Sequence, residues 1–419
     1  MPPRRVLLVA REFPPSGGAP SIRLTKLIKY LPQFGWSAEV LTMPEDHAWS
    51  PDPSLVAELP ADLQIHRVPR LLAASLQPAD GTVDAAGELR PKRIRRAAGA
   101  VLVPDAAVLW ALPALRAARR LVRRFDAVLT SAPPFSTHLV GLGVASRLPW
   151  VADYRDNWTT NPEFRRHGIL QMVNGRIDRT VLRRAGAVTV VSETARGELL
   201  ELEPRLAGRV FVAMNGFDPD DLPRVEPDRE AFRVVYAGSM RQYRDPEPLF
   251  RALAHARDEE PALGERLRVE LIGRIPASVV ARARAILGDA VEAPGFLPHR
   301  EALLRSARAA ILVVLSSIQE AGAAAITSKL AECLALRRPV LFIGPDGPGA
   351  ALIRDLGAGE VVEPGDWRSL AVTIRRMHGD WLAGRERVAS PGALDSFTRV
   401  ATAEEVAAAL ETASQQQRS

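Results

Sequence analysis

The chain has 419 residues, 47% of them hydrophobic and 25% charged, a globular composition at a length that favours two or three domains. Its single cysteine, Cys333, excludes an internal disulfide and a thiolate metal cluster and fits a reducing cytoplasm; no basic-then-apolar leader is seen, and no apolar run reaches the ~18 residues of a spanning helix. A soluble or peripheral protein is expected, with a formal charge of +6 carried by unevenly placed arginines.

Val6 to Val9 is a short apolar run that reads as a strand. It breaks at Arg11 into a loop with Gly17 and Gly18, before a helical pattern from Ser21 to Leu31. The loop has neither G-x-G-x-x-G nor Walker spacing, so neither a dinucleotide nor a triphosphate bound in the usual way is expected. Two adjacent glycines let backbone come close to a ligand, or simply make a turn. Ala38 to Thr42 gives the next strand, and Pro44 to Pro60 reads as loop.

Basic residues from Arg90 to Arg96 lead through Trp110 into Arg116, Arg119, Arg120, Arg123 and Arg124 on one helix. Two readings fit: contact with anionic lipid, or a solvated helix face. No recognised nucleic-acid module is present, so nucleic acid is not an expected partner. Ala127 to Thr130 is a third strand, and His138 follows in the first turn of the next helix. That is the carboxyl edge of the sheet, where open α/β folds place their ligands; a surface or core histidine is the other reading. The strand from Trp150 ends in Asp153, Arg155 and Asp156, acids that either position ligand hydroxyls or pair with Arg155. Strands at 187–191 and 210–212 complete a doubly wound sheet.

Asp220 to Glu230 turns to Asp, Pro and Arg and reads as a linker. A second alternation follows: a strand from Phe232 to Ala237, an exit loop holding Gly238, Arg241 and Arg244, then strands at 268–272, 310–315, 340–343 and 359–363. The segment from Ile326 is the crossover helix of a βαβ unit. Thr327 and Ser328 are N-cap residues, and the positive end of the helix dipole with Lys329 suits a phosphate. Glu332, a turn later, leans toward the same mouth and can accept the two hydroxyls of a ribose. A plain amphipathic helix with a polar first turn fits the same spacing, and Cys333 falls on its buried side. A last helical pattern, about 398–414, is expected to cross back onto the first domain. The fold class is therefore α/β, two doubly wound Rossmann-like domains facing a cleft, divided as 1–218 with 395–419 and as 219–394.

Taken together, Pro14 to Gly18, Pro133 and Pro134 with His138, Asp153 to Trp158, Asn215 to Asp218, Tyr236 to Gly238, Gly295 and Thr327 to Glu332 resemble the GT-B glycosyltransferases. The likeness is to the retaining nucleotide-sugar family related to sucrose synthase and to the mannosyl- and N-acetylglucosaminyltransferases of bacterial envelopes. It implies retaining transfer from a nucleotide sugar, UDP-sugar favoured, bound by the second domain, to a glycan, lipid-linked or small-molecule acceptor held by the first. It implies no protein nucleophile, no metal and no cofactor; cysteine usage points to a cytoplasmic enzyme, with peripheral membrane contact through 90–124 as one of the two readings of its basic stretch.

By the resemblance, His138 positions the sugar and Gly17 and Gly18 approach the donor phosphates. Arg241 and Lys329 oppose the leaving charge. Asp153, Gly238, Arg244, Thr327 and Ser328 complete the substrate contacts, and Glu332 meets the ribose. The family signature is two glutamates with seven residues between them; Glu332 is the second, but the first falls on Ala324, with Glu320 as a stand-in. A nucleotide-sugar 2-epimerase of the same fold and a non-catalytic nucleotide-sugar-binding homologue are the alternatives. An NAD-dependent dehydrogenase is disfavoured, because Gly141 and Gly143 lie inside a helix pattern.

Overall fold

The computed structural model describes residues 3–48, 51–71, 102–240, 245–316 and 328–418. They form two compact units: one takes in the described residues up to Asn215 together with Arg399–Ser419, the other Gly216–Thr398. The division thus falls a few residues from the expected 218/219 and 394/395. The expected linker is also part of the second unit. Asp228 accepts hydrogen bonds from the Glu230 and Ala231 N–H groups and from Arg233, and Arg338 donates to the Val225 carbonyl. A polar, proline-rich segment held by side chains in this way is not a free tether.

The first unit is a seven-stranded sheet, all of its neighbouring pairs parallel, ordered β3-β2-β1-β4-β5-β6-β7. Its strands are β1 Arg4–Val9, β2 Trp36–Thr42, β3 Ile65–Arg67, β4 Ala127–Ala132, β5 Trp150–Tyr154, β6 Ala187–Val190 and β7 Val210–Val212. In β1, Leu7 and Val9 face a core shared with Trp110, Ala114 and Ala118 of the helix Val108–Leu121. Val6 and Leu8 face another, shared with Leu24 and Leu27 of the helix Ala19–Tyr30 and with Ala403, Val406 and Leu410 of the C-terminal helix Arg399–Gln416. A strand buried on both faces has no polar position to spare, so it reads as an unbroken apolar run.

The C-terminal helix does belong to the first unit, as its sequence pattern suggests. Its alanines permit close approach: a Cβ on Gly186 would lie 2.8 Å from Cβ of Ala413. Among the elements absent from the sequence reading, the edge strand β3 has only three residues, and the stretch from Pro44 to Pro60 contains a helix, Pro53–Ala57, whose N-cap Asp52 accepts from the Ser54 N–H at 3.1 Å.

The second unit is a six-stranded parallel sheet ordered β10-β9-β8-β11-β12-β13. Its strands are β8 Phe232–Ala237, β9 Leu267–Ile272, β10 Val291–Gly295, β11 Ile311–Leu315, β12 Val340–Ile343 and β13 Gly359–Val362. Phe232, Val234 and Tyr236 pack against Phe250 and Leu253 of one helix, Glu247–Glu259, and Ile374 and Trp381 of another, Trp367–Leu382. The strand order reverses between β1 and β4 in the first unit and between β8 and β11 in the second. Open α/β sheets bind ligands at the carboxyl ends of strands at such a reversal.

Gly141 lies in the helix Thr137–Leu142, where intrinsic propensity favours alanine by ~1 kcal/mol. A Cβ there would stand 2.1 Å from the indole nitrogen of buried Trp150. Packing therefore outweighs propensity: Gly141→Ala is expected to lower stability by about 1–3 kcal/mol, read as a fall in the denaturation midpoint at unchanged m-value.

Candidate functional site

The second sheet's carboxyl edge is built on glycine. Gly238 follows β8, Gly273 follows β9 and Gly295 ends β10, with φ of 142°, 113° and 81°, backbone that side chains rarely tolerate. Gly238 N–H donates to the Ile272 carbonyl at 2.8 Å, and Gly273 N–H to the Gly295 carbonyl at 2.8 Å. A Cβ on Gly273 would come within 2.5 Å of the Gly238 oxygen. Three neighbouring strands thus end in glycine, and at Gly273 the adjoining backbone leaves no room for a side chain.

Over this edge reaches Lys329, from the helix Ser328–Ala335 that follows β11. A Cβ built on Gly238 would lie 3.3 Å from Nζ of Lys329, and Nζ stands 3.4 Å from the centre of the Tyr236 ring. The lysine therefore spans the reversal point between β11 and β8. A cation over a buried aromatic face is held by up to ~2 kcal/mol, which fixes the charge in place. Glu332 is three residues on, on the same side of the helix, with a fifth of its side chain exposed. Cys333 packs inward; burial pushes its thiol pKa up to about 12, so it is no nucleophile. Ser328 opens the helix. Arg241, Arg244 and Thr327, like Ala324 and Glu320, lie outside the described residues.

Two residues join this edge that the sequence reading named only in passing or not as site residues. Arg274, after Gly273, carries its guanidinium 5.3 Å from the centre of the Phe296 ring, and burial lowers its pKa. His299, first residue of the helix His299–Ala307, has Nε2 at 3.6 Å from Oε1 of Glu332. A histidine directly after a proline at a strand exit was the only local sign of it.

In the first unit, Gly17 and Gly18 follow β1 at the strand reversal. Gly18 has φ of 95° and immediately precedes the helix Ala19–Tyr30, so a bulkier residue there would be strained. The exposed arginines at 116, 119, 120, 123 and 124 lie outward from the apolar face of the helix Val108–Leu121 and its extension. Residues 90–101 lie outside the described part. Among the described residues no helix is long and apolar enough to cross a membrane.

Two expected ligand contacts need correction. Asp153 is 1% exposed. Its carboxylate accepts from Arg23 at 2.9 Å, Ser131 at 2.7 Å and Thr189 at 2.7 Å. Burial alone would raise its pKa, but the Arg23 charge and these hydrogen bonds outweigh it and hold the carboxyl below its usual range. With its lone pairs taken inside the unit, Asp153 is a structural acid and not a ligand for sugar hydroxyls. Nor does it pair with Arg155, which bonds the Ala132 and Pro133 carbonyls.

His138 is the second. It does occupy the first turn of a helix at the sheet edge, but its ring is fully buried, 4.6 Å from the Tyr154 ring, with Nδ1 2.8 Å from the Thr130 hydroxyl. That hydroxyl also accepts from the Trp150 indole at 2.9 Å. Burial, together with Arg155, lowers the imidazole pKa to about 3 against the opposing pull of Asp153. A neutral core histidine, not an exposed sugar contact, is what this environment makes.

Comparison with known proteins follows the same lines. Residues 21–221 match the profile of Glycosyltransferase Family 4, and residues 231–380 that of Glycosyl transferases group 1. No curated protein sequence matches significantly. Among solved structures, the Anabaena protein HepE in complex with UDP and glucose is 15% identical, with TM-score 0.63, over 97% of this chain and 99% of that one. Sucrose-phosphate synthase of Thermosynechococcus elongatus is 16% identical, with TM-score 0.59, over 99% and 97%. A putative UDP-N-acetylglucosamine 2-epimerase of Listeria monocytogenes is 12% identical, with TM-score 0.61, over 99% and 97%. At such identities the likeness is one of fold.

Two measurements check the corrected roles. Asp153→Ala leaves the buried Arg23 charge unpaired and should cost about 3–5 kcal/mol of stability; whatever protein folds should bind nucleotide as wild type does. For His138, the native ring resists protonation down to about 3, whereas the unfolded chain takes up a proton near 6.5. Stability it contributes is therefore complete above 6.5 and drains away as pH falls toward 3. Melting temperatures of His138→Gln should decline less steeply than wild type across that window.

Proposed function

We propose a specific chemistry for this chain, which belongs to the GT-B glycosyltransferases: transfer of a sugar, with retention, from a nucleoside diphosphate donor to a hydroxyl of a glycan, lipid-linked or small-molecule acceptor. UDP is the favoured carrier, because the Anabaena protein of the same fold holds it. The observation that carries the reading is Lys329 anchored at Gly238, on a glycine-built edge, with Glu332 one turn behind it.

In this reading the diphosphate lies at the glycine-built edge of β8 and β9, beside the Lys329 side chain that packs on Gly238. Lys329 and the start of the helix Ser328–Ala335 face the charge that gathers on the diphosphate as the C1–O bond breaks and its electron pair departs with the phosphate. The acceptor oxygen bonds to C1 on the same face, and its proton passes to a departing phosphate oxygen. Glu332 accepts the two ribose hydroxyls, which orients the donor. Lysine and helix dipole supply the positive charge that a magnesium ion brings elsewhere, so turnover should survive a chelator. The outward arginines of 116–124 suit an acceptor presented at an anionic lipid surface.

A nucleotide-sugar 2-epimerase is the second reading, favoured by the fold shared with the Listeria protein and by Ala324, which stands where the family carries its sugar-contacting acid. It acts on donor alone, so NMR of a UDP-sugar with enzyme and no acceptor separates the two: conversion decides for epimerisation. Isothermal titration with UDP and GDP tests the site itself. Glu332→Ala and Lys329→Ala should each weaken binding by about 1–3 kcal/mol, the scale of a hydrogen bond to a charged group. Affinity unchanged in both variants would remove the basis of the proposal.

A further inference from the structure

We infer that His299 is a positioning residue for nucleotide-ribose recognition, holding the Glu332 carboxylate in the orientation that two adjacent hydroxyls require; this rests on the reading of Glu332 given under Proposed function. The inference starts from an arrangement that three sequence-distant elements bring together. His299 opens the helix His299–Ala307, Glu332 lies in the helix Ser328–Ala335, and Asp221 ends the short turn Pro219–Asp221. One atom, Nε2 of His299, is 3.6 Å from Oε1 of Glu332 and 3.8 Å from Oδ2 of Asp221. Arg300, mostly exposed, reaches Asp221 from the other side at 4.0 Å.

The two carboxylates differ in burial, and that difference separates their roles. The Asp221 side chain is 4% exposed and the His299 side chain 12%, while Glu332 keeps 20%. Asp221 is therefore an inner anchor. It gives Nε2 a fixed electrostatic reason to point toward the helix Ser328–Ala335, and the imidazole in turn steers the one acid of the trio that still meets solvent.

A glutamate on a helix has three rotatable bonds, and immobilising such a side chain costs rotamer entropy. A carboxylate that must accept two hydroxyls with both oxygens gains affinity when that cost is met before the ligand arrives. The approach of His299 is to Oε1 of Glu332, and a fifth of the glutamate side chain stays exposed to meet the ribose. At 3.6 and 3.8 Å Nε2 lies beyond hydrogen-bond distance of both carboxylates, so an N–H dipole there sets direction without occupying the lone pairs the ligand needs.

Isothermal titration with a nucleoside diphosphate and with its 2′,3′-dideoxy analogue, on wild type, His299→Leu and His299→Gln, tests this directly. Leucine keeps bulk without a donor, whereas glutamine keeps an N–H near the Nε2 position. We expect His299→Leu to weaken the ribose ligand about tenfold or more, the scale of a lost interaction with a charged group. His299→Gln should recover most of that loss. For the dideoxy analogue, wild type and His299→Leu should bind alike, since Glu332 then has no hydroxyls to hold; a residue needed only for folding would not discriminate between the two ligands.

Equal affinity of His299→Leu and wild type for the ribose ligand, or an equal loss for both ligands, overturns the inference while leaving the nucleotide site in place. Absence of nucleotide binding by wild type removes the site and the inference together. Should His299→Leu not fold, as judged by thermal melting, the gap between ribose and dideoxyribose affinities in His299→Asn decides instead, because its amide falls short of the Nε2 position.

Discussion

The Lys329 ammonium rests against the face of the Tyr236 ring, 3.4 Å from its centre, and packs closely on Gly238, where a Cβ would lie 3.3 Å from Nζ. Several constraints meet in that contact. Tyr236 is buried in the core of the second unit, so its ring position is set by packing. Gly238 lies at φ of 142°, so the backbone turns away where a side chain would block the lysine. The helix bearing Lys329 is the next described element after β11 in the chain, and β11 is the strand beside β8 at the reversal of sheet order. Lysine, glycine and helix end are brought to one place by topology.

The first unit handles polar groups in the opposite way, by enclosing them. Arg23 and Asp153 are each 1% exposed and bond one another; two hydroxyls donate to Asp153, and Arg23 also donates to the carbonyls of Ala213 and Met214 and to the Asn215 side chain, while its Nε has no partner among the described residues. Such a pair is weak evidence of net stabilisation, since desolvation consumes most of the attraction, but removing one partner is expensive. Its effect is to tie the helix after the Gly17–Gly18 turn to the central strands and to the segment leaving the unit. Near it, Trp150, Thr130 and His138 form a second enclosed network. These acids, bases and hydroxyls look like active-site chemistry in a list of residues; in the molecule they are packing.

How far the site was legible varies by residue for identifiable reasons. Lys329 and Glu332 were readable because helix periodicity alone puts positions three apart on one side, and a strand before and another after mark which end meets the sheet edge. Gly18 and Gly238 were readable because loops that turn sharply after a strand have few residues to choose from. Asp153 and His138 misled because proximity to a carboxyl edge says nothing about whether a side chain points outward or into the layer beneath. His299 stayed hidden because its partners, Asp221 and Glu332, are remote in sequence and no local pattern links the three.

What the sequence by itself determined is the alternation of apolar strands and amphipathic helices, hence two parallel sheets each covered on both faces, the return of the final helix to the first unit, and the placing of a lysine and a glutamate on one crossover helix. These follow from periodicity and burial, which act over a turn or a strand and leave their mark in neighbouring residues. Only the tertiary structure decided which polar side chains are enclosed and which remain open, and which distant residues share a neighbourhood. Enclosure depends on what packs above a position, and that comes from chain segments tens to hundreds of residues away, as the bonds from Arg23 to Asp153 and Asn215 demonstrate.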